Sequence, residues 1–362
     1  MGTPALGDID GDGELEIVFG GYSTSGKLFA INPDGTDVPG FPIILGEKIQ
    51  KGVALADFNG NDKVDIVCGT DSGNLWLIYD DGTVADGFPF EAPGDFRSAP
   101  SILDMNGEKI IFSGNNDNNF YAINEEGALW FQVETGNDVR TSAGIVDLMD
   151  GVGIFFGSDD GFIYGVNLIG DPLPGWPIPL EGSIISSPVF SDLDGDGEVE
   201  IITATVTGNL YAFHLDGSLY PHFPISGSLP YGGSPAVQDI DGDNDYEILI
   251  GSSVGLEIID IKEPGSTQGY WNMHRGNLER NGLYHSSQQI HFVIVDHFDD
   301  WNLVGLPMYV EDSFHLNVFP DAVEGTLYSF EYNYVNDLDL EVGTGYWLRF
   351  NDEGSNTIVG LP

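Results

Sequence analysis

Apolar and polar positions along this chain alternate in short runs that never settle into a helical period. Runs of four to six apolar residues recur, each bounded by Gly, Asp or Asn, which is the pattern of β-strands and tight turns. The runs follow a fixed order. A short strand led by small residues and often Pro comes first, as in Thr3–Leu6, Ala99–Ile102, Ser187–Phe190 and Ser234–Val237. An acidic loop follows, then a β-branched run ending in Gly, as in Glu16–Gly20, Asp65–Gly69 and Glu247–Gly251. A Gly/Ser turn leads to an aromatic strand (Lys27–Ile31, Asn74–Ile78, Asn119–Ile123, Asn209–Phe213). The last piece is a short edge of aromatic-Pro type: Gly40–Ile43, Gly87–Phe90, Gly175–Ile178 and His222–Ile225. Proline cannot donate to a sheet ladder and belongs on an outer strand.

The first Asp of each loop falls at Asp8, Asp57, Asp104, Asp147, Asp192 and Asp239, with intervals of 49, 47, 43, 45 and 47 residues. Four strands on that period match the blade of a β-propeller, which manages its sheet edges by circular repetition. The expected fold is all-β: a propeller of at least six four-stranded blades over residues 1–284, then a small β domain over 285–362. A parallel solenoid would use shorter repeats and need caps. The chain opens on a first strand, so further blades upstream are expected. The sixth repeat has no aromatic-Pro edge, and Trp271 is expected to supply its final strand. From about residue 285 the acidic loops stop, and the runs at 290–295, 301–307, 327–330 and 345–350 read as strands of the smaller domain, which is expected to be truncated.

The loops carry the chemistry. Asp8, Asp10, Asp12 and Glu16 place side-chain oxygens at positions 1, 3, 5 and 9 of a turn, with the Glu14 carbonyl at position 7 available to a cation. Asp192, Asp194, Asp196 and Glu200 (Glu198 at position 7) repeat this, as do Asp239, Asp241, Asp243 and Glu247 (Asp245 at position 7). Asp57, Asn59, Asn61 and Asp65, with Lys63 at position 7, replace two carboxylates by amides. Hard cations such as Ca²⁺ take 6–8 oxygen ligands in adaptable geometry. An EF-hand carries its last acid at position 12 on a helix, so that match is wrong. The expected complement is about four Ca²⁺, one each in repeats one, two, five and six, with repeat two the weakest. Repeat three is shortened after Asp104, and Met149 stands where repeat four needs an oxygen at position 3, so no ion is expected there. Carboxylates clustered without metal repel, so ion binding is expected to act as folding energy.

Composition narrows the partners. Lys+Arg 11 against Asp+Glu 58 gives a net charge of -47, which disfavours nucleic acid and anionic membranes. The single cysteine, Cys68, lies in an apolar run and reads as a buried thiol. No apolar stretch approaches a membrane span, and no signal peptide is visible.

The loops followed by an apolar strand and Gly resemble the FG-GAP/VCBS repeat family, the integrin α-subunit type of propeller. The resemblance covers residues 2–284 and is specific in four of six repeats. It implies loops that bind Ca²⁺ on one face and an opposite face used for adhesion or ligand capture. The stretch Trp271–Tyr284 is similar to segments that end such propellers in bacterial surface proteins. The implied function is a secreted or cell-surface binding module for an extracellular protein or polysaccharide, monomeric and without catalytic residues. The rival is a calcium-dependent polysaccharide lyase, for which His274, Arg275 and Arg280 are the candidate base and cations. A quinoprotein would need Trp docking motifs in each blade, and the six Trp lie elsewhere.

Overall fold

The computed structural model describes residues 2–360 other than 24, 150, 228, 289–290, 309, 311–312 and 331–333. Its contacts divide the chain into two units, one running to Ser286 and the other from Ser287 onward together with 149–151.

The first unit is a β-propeller. Blade one is the antiparallel sheet Ala5–Gly7, Glu16–Gly20, Lys27–Ile31 and Ile43–Ile44 in that spatial order. The second, fourth and fifth repeats fold the same way, and the third ends on a longer outer strand, Leu129–Glu134. The aromatic-Pro segments supply the outer strands of blades one, two, four and five, each with a cis X-Pro bond. Between neighbouring blades the apolar faces interlock. Val18, Leu28 and Ala30 of blade one pack with Leu55, Ile66 and Cys68 of blade two in one core cluster.

The sixth sheet has three strands, Ala236–Gln238, Asp245–Gly251 and Leu256–Pro264. Trp271 does not complete it, contrary to the sequence reading. The stretch 271–284 instead threads the centre and bonds to the innermost strand of each blade. The carbonyls of Trp271, Asn272, Glu279, Asn281 and Gly282 accept from the N–H groups of Phe190, Val237, Leu6, Leu55 and Ile102 at 2.7–2.9 Å. The Tyr284 hydroxyl accepts from Asp147 N–H of blade four at 3.1 Å. Arg275, fully buried, donates from Nη1 to the Pro100 carbonyl at 2.6 Å and from Nη2 to that of Val53. A buried cation with no carboxylate beside it is tolerable because carbonyl dipoles meet its donors.

One inter-blade face is unlike the others. Leu256 and Ile258 of blade six occupy, by strand register, the positions of Leu28 and Ala30 in blade one. Leu28 and Ala30 are 0% exposed, whereas Leu256 is 61% and Ile258 52% exposed. On blade one's opposite face Ile17 is 41% exposed where its counterpart Ile66 is 0%. The central stretch steps one or two residues between the other adjacent blades it reaches by backbone bonds but seven, from Asn272 to Glu279, between blades six and one.

The second unit is a small β domain. His291–His297 pairs with Gly354–Gly360, and Asp300–Gly305, Gly345–Phe350, Tyr328–Phe330 and Tyr334–Asn336 form a separate sheet. A four-residue helix, His315–Val318, and a core of Phe319, Leu327, Leu348 and Phe350 complete it. Ile290, expected to open the first of these strands, lies outside the described residues.

Candidate metal sites

Each acidic loop joins the first strand of a blade to its second and is shaped by its own first Asp. Asp8 accepts N–H bonds from Gly11 at 2.7 Å and Gly13 at 3.0 Å. Asp192 does the same with Gly195 and Gly197, and Asp239 with Gly242 and Asn244. Positions 4 and 6 must therefore turn left-handed: φ is 79° and 88° at Gly11 and Gly13, 74° and 63° at Gly60 and Asp62. Gly, Asn and Asp are the residues that adopt this conformation most readily. The position-9 acid closes the loop from the other end. Glu16, Asp65, Glu200 and Glu247 are all buried and accept from the N–H of the loop's second residue, Ile9, Phe58, Leu193 and Ile240, at 2.7–2.8 Å.

The remaining oxygens of these acids decide which loops want a cation. In loop one, Asp8, Asp10 and Glu16 each bring a carboxylate oxygen within 4.8 Å of the others. Asp10 Oδ1 and Glu16 Oε1 are buried there without a hydrogen-bond partner. Loop five gathers Asp192, Asp194 and Glu200, with Asp194 Oδ1 left alone. Loop six gathers Asp239, Asp241 and Asp243, and beside them Asp243, Asp245 and Glu247, with Asp245 Oδ1 and Glu247 Oε1 unpartnered. Buried acceptors without donors are rare and costly, and several carboxylates converging on one point form a site for a divalent cation. These clusters can hold a metal ion.

The structure redistributes some expected ligands. Asp12 and Asp196 turn their Oδ1 to the N–H groups of Glu14 and Glu198 at 2.8 Å and are not part of the converging sets. Asp245, assigned by sequence only a backbone carbonyl, contributes its carboxylate. Loop two satisfies itself. Asp65 Oδ1 accepts from Asn59 Nδ2 and Asp80 N–H, Asn61 Oδ1 accepts from Lys63 N–H, and Lys63 Nζ pairs with Asp80 at 3.4 Å. In loop five Glu200 Oε1 lies 3.1 Å from His214 Nδ1, a partner that sequence reading assigned no metal context. The signal was there: His214 ends the strand directly opposite Glu200 in register.

Burial sets the electrostatics. It raises the Glu16 carboxyl above its usual range, with Asp10 and Asp8 adding to the effect. It pushes Asp65 up to about 6 and Glu200 up to about 8. Such groups ionise reluctantly until a cation arrives.

Loops three and four serve the central stretch. Loop three has collapsed to a two-residue Asn106-Gly107 turn, with Asp104 Oδ1 capping Gly107 N–H at 2.8 Å and Oδ2 3.4 Å from His285 Nδ1. Asp147 Oδ1 accepts from the Ser286 hydroxyl at 2.6 Å. Asp150 of the fourth loop lies outside the described residues.

Known proteins fit this geometry. A family model described as FG-GAP-like repeat matches residues 8–68, from the first acidic loop into the second strand of blade two. Residues 8–68 thus carry an FG-GAP-like repeat within a β-propeller. No curated protein matches it. Among solved structures it is similar to the V. cholerae biofilm matrix protein Bap1, with TM-score 0.54 and 15% identity over 99% of this chain and 52% of that one, so it spans about half of Bap1. It is also similar to the computationally designed Ika8 protein (TM-score 0.50, 14% identity, 68% of each chain) and to the WD40 β-propeller domain of Doa1 (0.46, 16%, 68% and 75%). Among the described residues no helix is long and apolar enough to cross a membrane.

Proposed function

We propose that this chain is a calcium-stabilised binding module, secreted or displayed at a cell surface, that recognises an extracellular protein or polysaccharide. The observation that carries the calcium reading is the set of buried, partnerless carboxylate oxygens in loops one, five and six. Oxygen-only ligands on flexible loops favour Ca²⁺ over Zn²⁺, which prefers nitrogen and sulfur, and over Mg²⁺, which demands strict octahedra. Each ion would pin the first strand of a blade to the second, and its binding free energy would add to folding.

Loop two, already satisfied by amides and Lys63, is the site least in need of an ion, so three loaded loops with a weak or vacant fourth is the expected complement. The net charge of -47 suits a calcium-rich or salty medium that screens self-repulsion. The binding reading is favoured over a lyase because Arg275 spends its donors on the carbonyls of Pro100, Val53 and Arg280, and His274 sits beside it in the central stretch. Burial, with Arg275 and Arg280 nearby, holds the His274 imidazole down at about 3, too weak a base for the task. Melting in excess EGTA and in millimolar Ca²⁺ tests the proposal, beside a glycan array and a lyase assay. An unchanged melting temperature refutes the calcium role, and bond cleavage refutes the binding role.

A further inference from the structure

The collapse of loop three leaves space beside loop two. Where loops one and two approach, Lys63 lies against Gly11. Between loops two and three there is instead a cavity of about 560 Å³, within the size range of small-ligand sites. Ala56, Val64 and Leu283 contribute apolar lining. Around it stand Lys109, Glu125 and His285. Lys109 is buried, lies over the Phe58 ring and uses one donor on the Gly107 carbonyl, leaving two N–H groups of its ammonium. The Glu125 carboxylate, which also accepts the Lys109 backbone N–H, supplies an acceptor, and the exposed His285 imidazole, its Nδ1 3.4 Å from Asp104, lines the cavity as well.

A neighbouring donor and acceptor in one cavity with apolar side chains match a pyranose, whose C–H face is apolar and whose vicinal hydroxyls both donate and accept. Charge selects among sugars. Asp57, Asp104 and Glu125 line the cavity against Lys109 alone, in a chain of net charge -47, so uronates and sulfated sugars are repelled. We propose that this cavity binds one uncharged pyranose residue of a glycan. The inference rests on the reading of the chain as a binding module and narrows its ligand.

The test is titration calorimetry of the intact chain in saturating Ca²⁺ with cellotetraose, N-acetylchitotetraose and tetragalacturonate, repeated on Glu125→Gln and His285→Ala. At least one neutral tetrasaccharide is expected to bind, tetragalacturonate at least tenfold more weakly, and each variant to weaken the neutral sugar fivefold or more while its circular dichroism spectrum matches that of the parent. Absence of binding by both neutral sugars, equal or tighter binding of tetragalacturonate, or variants that bind as the parent does would each overturn the assignment. Loops one, five and six, on which the calcium reading rests, contribute nothing to the cavity, so failure here and failure of the module reading are separable.

Discussion

Replacing Glu16 by glutamine should move stability in opposite directions with and without calcium. Glutamine keeps an oxygen for the Ile9 N–H and turns its amide toward Asp10, whose Oδ1 has no donor. That recreates in loop one what Asn59 Nδ2 does for Asp65 in loop two. Carboxylate oxygens within 4.8 Å of one another repel, at an effective dielectric of about 20, by roughly 3.5 kcal/mol per fully ionised pair. Glu16 already evades part of this through its raised pKa. A gain of about 1–3 kcal/mol in EGTA is therefore expected. In millimolar Ca²⁺ the variant lacks one anionic ligand and presents an amide N–H₂ to the ion. A ten- to hundredfold weaker site costs about 1.4–2.8 kcal/mol of linked stability. Thermal melts should show Glu16→Gln a few degrees above the parent in EGTA and a few degrees below it in Ca²⁺. A variant that melts lower under both conditions would show that Glu16 is a packing residue, and the metal argument for loop one would fail.

Three further outcomes follow from the same geometry. Glu200, held near 8 without metal, must ionise to bind, so Ca²⁺ titrated at pH 7 should release protons, seen as heats that depend on the buffer's ionisation enthalpy. In EGTA that carboxyl binds its proton more tightly folded than unfolded, where its value is 4.5. Its contribution to stability therefore falls as pH rises from about 4.5 through 8, and Glu200→Gln should flatten that slope. Arg275→Met leaves the carbonyls of Pro100 and Val53 buried without donors and should lower stability by about 3 kcal/mol in urea unfolding; an unchanged midpoint would remove the central stretch as a tie between blades. Leu210→Ala should cost about 2–5 kcal/mol, but Leu256→Ala, at the equivalent but 61% exposed position, under about 0.5 kcal/mol; equal losses would mean that blade six is covered.

The repeat was legible because strand, loop and turn each have a strong local cause. Asp at position 1 with Gly at 4 and 6 forces a left-handed loop, and β-branched residues after it extend into a buried strand. Those rules act over ten residues, so blade order followed from sequence alone. The position-9 acids were legible for the same reason, since an acid heading an apolar strand must be buried with its loop. Spacing could not tell that Asp12 and Asp196 each give one oxygen to the N–H two residues on, because that bond and a metal contact ask for the same position. Lys63 was read only for its backbone carbonyl because the partner of its ammonium, Asp80, comes from another turn that no periodicity encodes, whereas the His214 pairing with Glu200 needed the register of the two strands.

The central stretch shows what kind of information a repeat pattern cannot hold. Residues 271–284 have no strand period, yet they touch all six innermost strands, because those strands offer unpaired N–H groups along the axis that demand acceptors. A chain of irregular backbone can supply its carbonyls at the uneven intervals the ring requires, which a regular strand could not. The same stretch accounts for the lapsed loops. Asp104 and Asp147 instead anchor His285 and Ser286 at the end of the stretch. Two of the six blades thus use the first Asp of the loop to hold the end of the stretch, and a cavity lies beside the shortened loop three.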